Sequence, residues 1–81
     1  MASERSILES ALRDEVGTSR FAFLGRRKRR SRCYHLLRAD GVSRKRANHL
    51  VKGLRVAARR LRGAKELKER EIGTALDLIL A

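Results

Sequence analysis

The 81-residue chain has no proline, no tryptophan and one cysteine, and its only aromatic residues are Phe21, Phe23 and Tyr34. Without proline, and with six glycines, it fits neither a collagen-like or linker-like chain nor a turn-rich β-fold, so helices are the natural reading. Cys33 stands alone, which excludes a disulfide within the chain, fits a reducing compartment and leaves an intermolecular disulfide open. No apolar run approaches the roughly 18 residues that a membrane-spanning helix needs. The start MASERSILES lacks the cationic-then-apolar order of a secretory signal, so a cytoplasmic or nuclear location is expected. Acids are also scarce: nine Asp and Glu stand against 21 Lys and Arg, for a net charge of +12.

The apolar fraction is 42%, but much of it is alanine, and the predicted core is thin. Leu, Ile, Val and Phe together make up about a quarter of the chain, above the roughly 20% below which chains stay disordered. A domain this small buries only about 60% of the surface its unfolded chain exposes, and repulsion among the cations opposes compaction. One small helical domain over residues 1–81 is expected, completed by a second copy or by a bound polyanion.

Charge divides the chain into three. Residues 1–19 carry a net −2, residues 20–62 a net +15 with Asp40 as their only acid, and residues 63–81 a net −1. The ends read as ordinary protein and the middle as a site for a polyanion. In the first segment Ser3 is a predicted N-cap with Glu4 in the first turn, and Ile7, Leu8, Ala11, Leu12 and Glu15 or Val16 form one buried stripe that Gly17 ends. Periodicity does not choose between strand, helical turn and packed loop for Thr18 to Gly25. A second helix is predicted to begin in or just after GRRKRRSR and to stop at Asp40-Gly41. Ser43 then caps a helix from Arg44 to Arg62 with Ala47, Leu50, Val51, Leu54, Ala57, Ala58 and Leu61 as its apolar stripe. Gly53 within it marks a close helix crossing. A last helix carries Leu67, Ile72, Ala75, Leu76, Ile79 and Leu80; whether Gly73-Thr74 breaks it is left open by the sequence, because Thr74 with Asp77 has the spacing of a fresh capping box.

Arg26, Arg27, Lys28, Arg29, Arg30 and Arg32 place six cations within seven residues, too many for one helix face. The Arg44 to Arg62 helix carries Arg44, Lys45, Asn48, Lys52, Arg55, Arg59 and Arg62 opposite its apolar stripe, with Arg46 and Arg60 nearer the edges and no acid among its 19 residues. A merely solvated helix interleaves Glu with Lys or Arg for i,i+4 pairing, as KELKERE does near the end of this chain. The competing readings of these charges are a solvated tail segment, which a position between two apolar segments weakens, a nuclear import signal, or Arg enrichment from codon usage, which does not explain why the charge sits in the middle. Duplex nucleic acid presents one negative charge per roughly 1.7 Å, and neutralising its phosphates releases counterions. The planar fork of Arg, which supplies 16 of the 21 cations, grips phosphate or a guanine edge bidentately.

The stretch CYHLLRADGVSRKRANHLVKGL resembles the helix-turn-helix motif in its turn glycine Gly41, the apolar Val42 after it and the apolar Leu50 on the second helix. The resemblance implies that Arg44, Lys45, Arg46, Asn48 and His49 face the major groove, Asn48 pairing with adenine. GTSRFAFLGRRKRRSRC is similar to the Gly-x-Ser-x-aromatic-Ala, Arg-cluster, Cys pattern of small nucleic-acid-binding proteins from filamentous plant RNA viruses. Those proteins continue into a Cys-rich finger, whereas Cys33 stands alone here, and the family's properties are not carried over.

Cys33, His35 and His49 fall short of the four closely spaced ligands of structural zinc, so no metal or cofactor is expected, and Cys33 reads as a small buried hydrophobe. No phosphate loop, activated nucleophile or acid pair is present, so neither catalysis nor a small-molecule substrate is expected. With three aromatic rings, base stacking on single strands is disfavoured against duplex binding. The expectation is an all-α homodimer of three- or four-helix chains, helix-turn-helix-like, that binds duplex nucleic acid in DNA regulation or packaging. RNA binding, including a viral RNA-binding or silencing-suppressor role, is the alternative. A module for an anionic membrane surface or a protein partner is the reading from another class.

Overall fold

The computed structural model describes residues 3–17, 26–62 and 68–81, and the side chains of Arg26 to Arg29 are not part of that description. Phe21, Phe23 and Leu67, with the segment Thr18 to Gly25, lie outside the described residues. Four helices form: α1 (Glu4–Gly17), α2 (Arg26–Ala39), α3 (Arg44–Leu61) and α4 (Glu69–Leu80). There is no strand among the described residues.

The predicted caps are made. Ser3 Oγ accepts from the Ser6 N–H at 3.2 Å, and Ser43 Oγ accepts from the Arg46 N–H at 3.2 Å, each satisfying a donor that the first turn leaves unpaired. α2 ends in a Schellman motif. The Val42 N–H reaches the Leu37 carbonyl at 3.0 Å and the Gly41 N–H reaches the Arg38 carbonyl at 3.1 Å. Gly41 has φ +93°, a conformation that disfavours a Cβ. Leu37 and Val42 are both buried, so the hydrophobic contact of the motif ties the turn into the core.

The core comes from one face of each helix: Ile7, Leu8 and Leu12 from α1, Cys33 and Leu37 from α2, Ala47, Leu50, Leu54 and Ala58 from α3, and Ile72, Leu76 and Ile79 from α4. α1 packs against each of the other three helices, and α3 likewise, so these two form the middle of the bundle with α2 on one flank and α4 on the other. Ion pairs fix the directions. Arg5 meets Asp77 at 2.8 Å and Arg13 meets Glu69 at 2.8 Å, so α1 and α4 run antiparallel. Arg46 meets Glu4 at 2.6 Å and Arg62 meets Glu15 at 3.1 Å, so α1 and α3 run parallel. These are mostly surface pairs worth about 0–1 kcal/mol each, and the stability comes from the apolar seam.

Gly53 stands at a close crossing, as its place in the stripe predicts: a Cβ there would meet Ile79 Cγ2 at 3.1 Å. The question left open at Gly73-Thr74 is settled against a break. α4 is continuous through both residues, and the Thr74 hydroxyl donates back to the Arg70 carbonyl at 2.9 Å instead of capping a new helix. Breaking the helix would turn Ile72 away from the face it shares with Leu76 and Ile79, and that burial outweighs the roughly 1 kcal/mol penalty of one helical glycine. The apolar stripes of α1 and α4 are covered within one chain at Ile7, Leu8, Leu12, Ile72, Leu76 and Ile79.

Cys33 is buried beside Leu37 in the core, whereas Leu36 is 48% exposed. Burial pushes the thiol up to about 11, so at neutral pH it is a protonated core side chain. The intermolecular disulfide left open by the sequence is therefore closed to the folded chain.

Candidate nucleic-acid interface

Along α3, Lys45, Asn48, Lys52, Arg55, Arg59 and Arg62 are spaced 3, 4, 3, 4 and 3 residues apart. That spacing draws a row nearly parallel to the helix axis, about 20 Å long between Lys45 and Arg59. The row does not lie directly opposite the apolar stripe, as the sequence reading had it. It is turned towards α2: Asn48, Val51, Lys52 and Arg55 form one wall of a groove whose other wall is Arg30, Ser31 and Tyr34. Because Arg30 faces Arg55 and Tyr34 lies beside Asn48 and Val51, α2 runs antiparallel to α3 along this groove.

At the Arg30 end, the groove adjoins a narrow cleft lined by Arg30, Arg55, Arg59, Arg62 and the buried Glu15. Arg62 donates to Glu15 Oε2 at 3.1 Å, so a carboxylate from α1 anchors one wall of the cleft. The α3 end of this wall also suits its charge, since Arg59 and Arg60 sit in the last turn, beside the negative end of the helix dipole. The start of α2 is the opposite case: its first turn carries cations and no acid, next to a positive helix end. Both first turns of the α2–α3 pair are cationic, because Arg44, Lys45 and Arg46 open α3. Each such cation opposes its own helix dipole by a few tenths of a kcal/mol, a penalty that a bound anion reverses.

The structure sorts the predicted cations into groups. Arg30, Lys52, Arg55 and Arg59 share the groove and its cleft, and none has a carboxylate partner among the described residues apart from Glu15 at the cleft floor. Arg44 and Lys45 are exposed on the first turn of α3 and also lack an acid partner among the described residues. Arg46 and Arg62 are tied to Glu4 and Glu15, so both brace α1 against α3. Arg32 lines a different depression, between α1 and α2, with Ser6, Ser10 and Asp14. Arg26, Arg27, Lys28 and Arg29 belong to the first turn and a half of α2. Of the described side chains in the run 26–32, the structure joins Arg30 to the α3 row.

Sequence reasoning did not find Ser31 and Tyr34 as groove residues. A signal existed, because Arg30, Tyr34 and Leu37 recur at helical spacing and share a flank of α2. Arg38 was also missed: its Nη1 donates to the Val42 carbonyl at 3.0 Å and braces the turn that sets the groove. His49 is exposed on α3, and His35 packs edge-on against Tyr34 with centroids 5.5 Å apart. Among the described residues no group of three or more His, Cys, Asp or Glu is placed to hold a metal ion, and no helix is long and apolar enough to cross a membrane.

No protein-family model matches this chain, and neither the curated proteins nor the solved structures contain a significant match to it.

Proposed function

We propose that this protein binds nucleic acid without catalysing a reaction, engaging duplex phosphates through the α3 row and the α2–α3 groove, in DNA regulation or packaging. The observation that carries the reading is the segregation of charge. Glu4, Glu9 and Glu15 on α1 and Glu69 and Asp77 on α4 are drawn into ion pairs with Arg5, Arg13, Arg46 and Arg62, while Lys45, Lys52, Arg55 and Arg59 line up without an acid between them. A row about 20 Å long matches several successive phosphates, and Asn48 within it supplies an amide able to read an adenine edge. The helix-turn-helix likeness, carried by Gly41, Val42 and Leu50, implies that the start of α3 meets the major groove.

The test is a titration of matched DNA duplex, RNA duplex and single strands across a range of salt. If about six phosphates are engaged, log K for the DNA duplex falls with log salt at a slope near −5. Tighter binding of the RNA duplex moves the reading to RNA. Affinity that ignores salt overturns it in favour of a membrane or protein partner.

We also propose that the chain pairs with a second copy through α3 and α4. Val56 and Leu78, 53% and 68% exposed, face the apolar groove between these helices together with Ala57, Leu61 and Ala75. Its rim carries both signs of charge, in Arg60, Arg70 and Glu71, as a self-complementary twofold contact requires. The contact also keeps the strongly basic groove away from the twofold. Sedimentation at micromolar concentration is expected to show a dimer that Leu78→Asp converts to a helical monomer; a monomeric wild type overturns the pairing.

A further inference from the structure

The narrow cleft at the end of the groove differs from the groove itself. Four guanidinium groups, from Arg30, Arg55, Arg59 and Arg62, surround a space of about 150 Å³ whose floor is Glu15, 5% exposed. The groove beside it is about 400 Å³ and shares Arg30 and Arg55 with the cleft. The cleft is less than half the size of the groove beside it, on the scale of one tetrahedral anion with some solvent. Three helices supply its walls, α1 through Glu15, α2 through Arg30 and α3 through the other three arginines. Among the described lining residues one carboxylate stands against four guanidiniums, an excess of three positive charges.

Two features select among anions. A phosphodiester within a strand has two covalent exits, two non-bridging oxygens and one negative charge. A terminal phosphomonoester has one exit, three free oxygens and close to two charges at neutral pH. A small cleft at the end of a wider groove accommodates the second kind of group, and forked donors from several arginines suit its three oxygens. Glu15 adds to the selection by turning Arg62 into the wall and fixing one of its donors.

We propose that this cleft captures the terminal phosphate of a nucleic-acid strand, whose following nucleotides then run along the α2–α3 groove past Tyr34 and Asn48. The inference rests on the nucleic-acid reading above and adds to it a preference for phosphorylated ends.

The experiment uses the full chain and three duplexes of one sequence, with hydroxyl ends, with 5′-phosphates and with 3′-phosphates, compared at one moderate salt concentration by anisotropy. One of the phosphorylated forms is expected to bind about tenfold more tightly than the hydroxyl form. That preference is expected to shrink below about pH 6, where the monoester gains a proton and the guanidiniums and internal phosphodiesters keep their charge. Inorganic phosphate is expected to compete away the preference before it weakens binding to the hydroxyl duplex. Arg62→Gln removes one wall of the cleft and is expected to equalise the three duplexes; Arg62→Lys, which keeps the charge, separates loss of the fork from loss of the fold, with helicity checked by circular dichroism. Equal affinity for all three duplexes in the wild type, with salt-dependent binding intact, overturns the end preference and leaves duplex binding standing. Failure of every duplex to bind overturns both.

Discussion

The Arg55→Ala/Arg59→Ala double variant is expected to bind DNA duplex about thirtyfold more weakly than the wild type at moderate salt, if each arginine contributes about 1 kcal/mol of net charge-assisted bonding. The loss should be nearly the same for unrelated sequences, and the slope of log K against log salt should flatten by up to about 2, because phosphate contacts carry no sequence information. Both side chains are exposed on α3 and lack an acid partner on any other helix, apart from Glu15 at the cleft floor. Helicity and stability should therefore stay within a few tenths of a kcal/mol of the wild type. Asn48→Ala provides the contrast: it removes no charge, so it should leave the salt slope alone and change the ranking of sequences. An unchanged affinity in the double variant, with the fold intact, removes this surface from consideration.

The largest effect on stability is expected from Leu50→Ala. Leu50 is fully buried on α3, the helix that touches all three others, so truncation leaves a cavity that no single neighbour can close. Such substitutions lower stability by about 2–5 kcal/mol, against a total of roughly 4–12 kcal/mol for a chain of this size. Thermal unfolding followed by circular dichroism should show the midpoint falling by about 15 °C or more. Leu36→Ala, at a leucine 48% exposed, is the control and should move it by only a few degrees. Equal shifts for the two variants contradict this account of the core.

The helices were legible in the sequence wherever the signal is local. Ser3 and Ser43 mark N-termini because a hydroxyl there reaches an amide three residues on, and Gly41 marks an end because its φ is positive. The continuity of α4 was not legible, since Gly73 and Thr74 weigh against it locally and the burial of Ile72, Leu76 and Ile79 decides it only once α1 and α3 are in place. The candidate site divides the same way. The i, i+3, i+4 spacing showed that Lys52, Arg55 and Arg59 share a face. It held no information on which flank meets α2, which is why Tyr34 and Ser31 were missed. Nor did it show that Glu4 and Glu15, 42 and 47 residues from their partners, engage Arg46 and Arg62.

The brace at the α2–α3 turn, with Gly41 in its left-handed conformation and Arg38 holding the Val42 carbonyl, also bears on the tempo of recognition. Because the two groove walls are joined by so short and well-bonded a link, they meet a ligand already at their working separation. Between these two walls, ordering on association then falls chiefly on long arginine and lysine side chains. Capture is set by electrostatic steering, so arrival should slow as salt is added, while the lifetime of the complex is set by how many guanidinium forks must let go together.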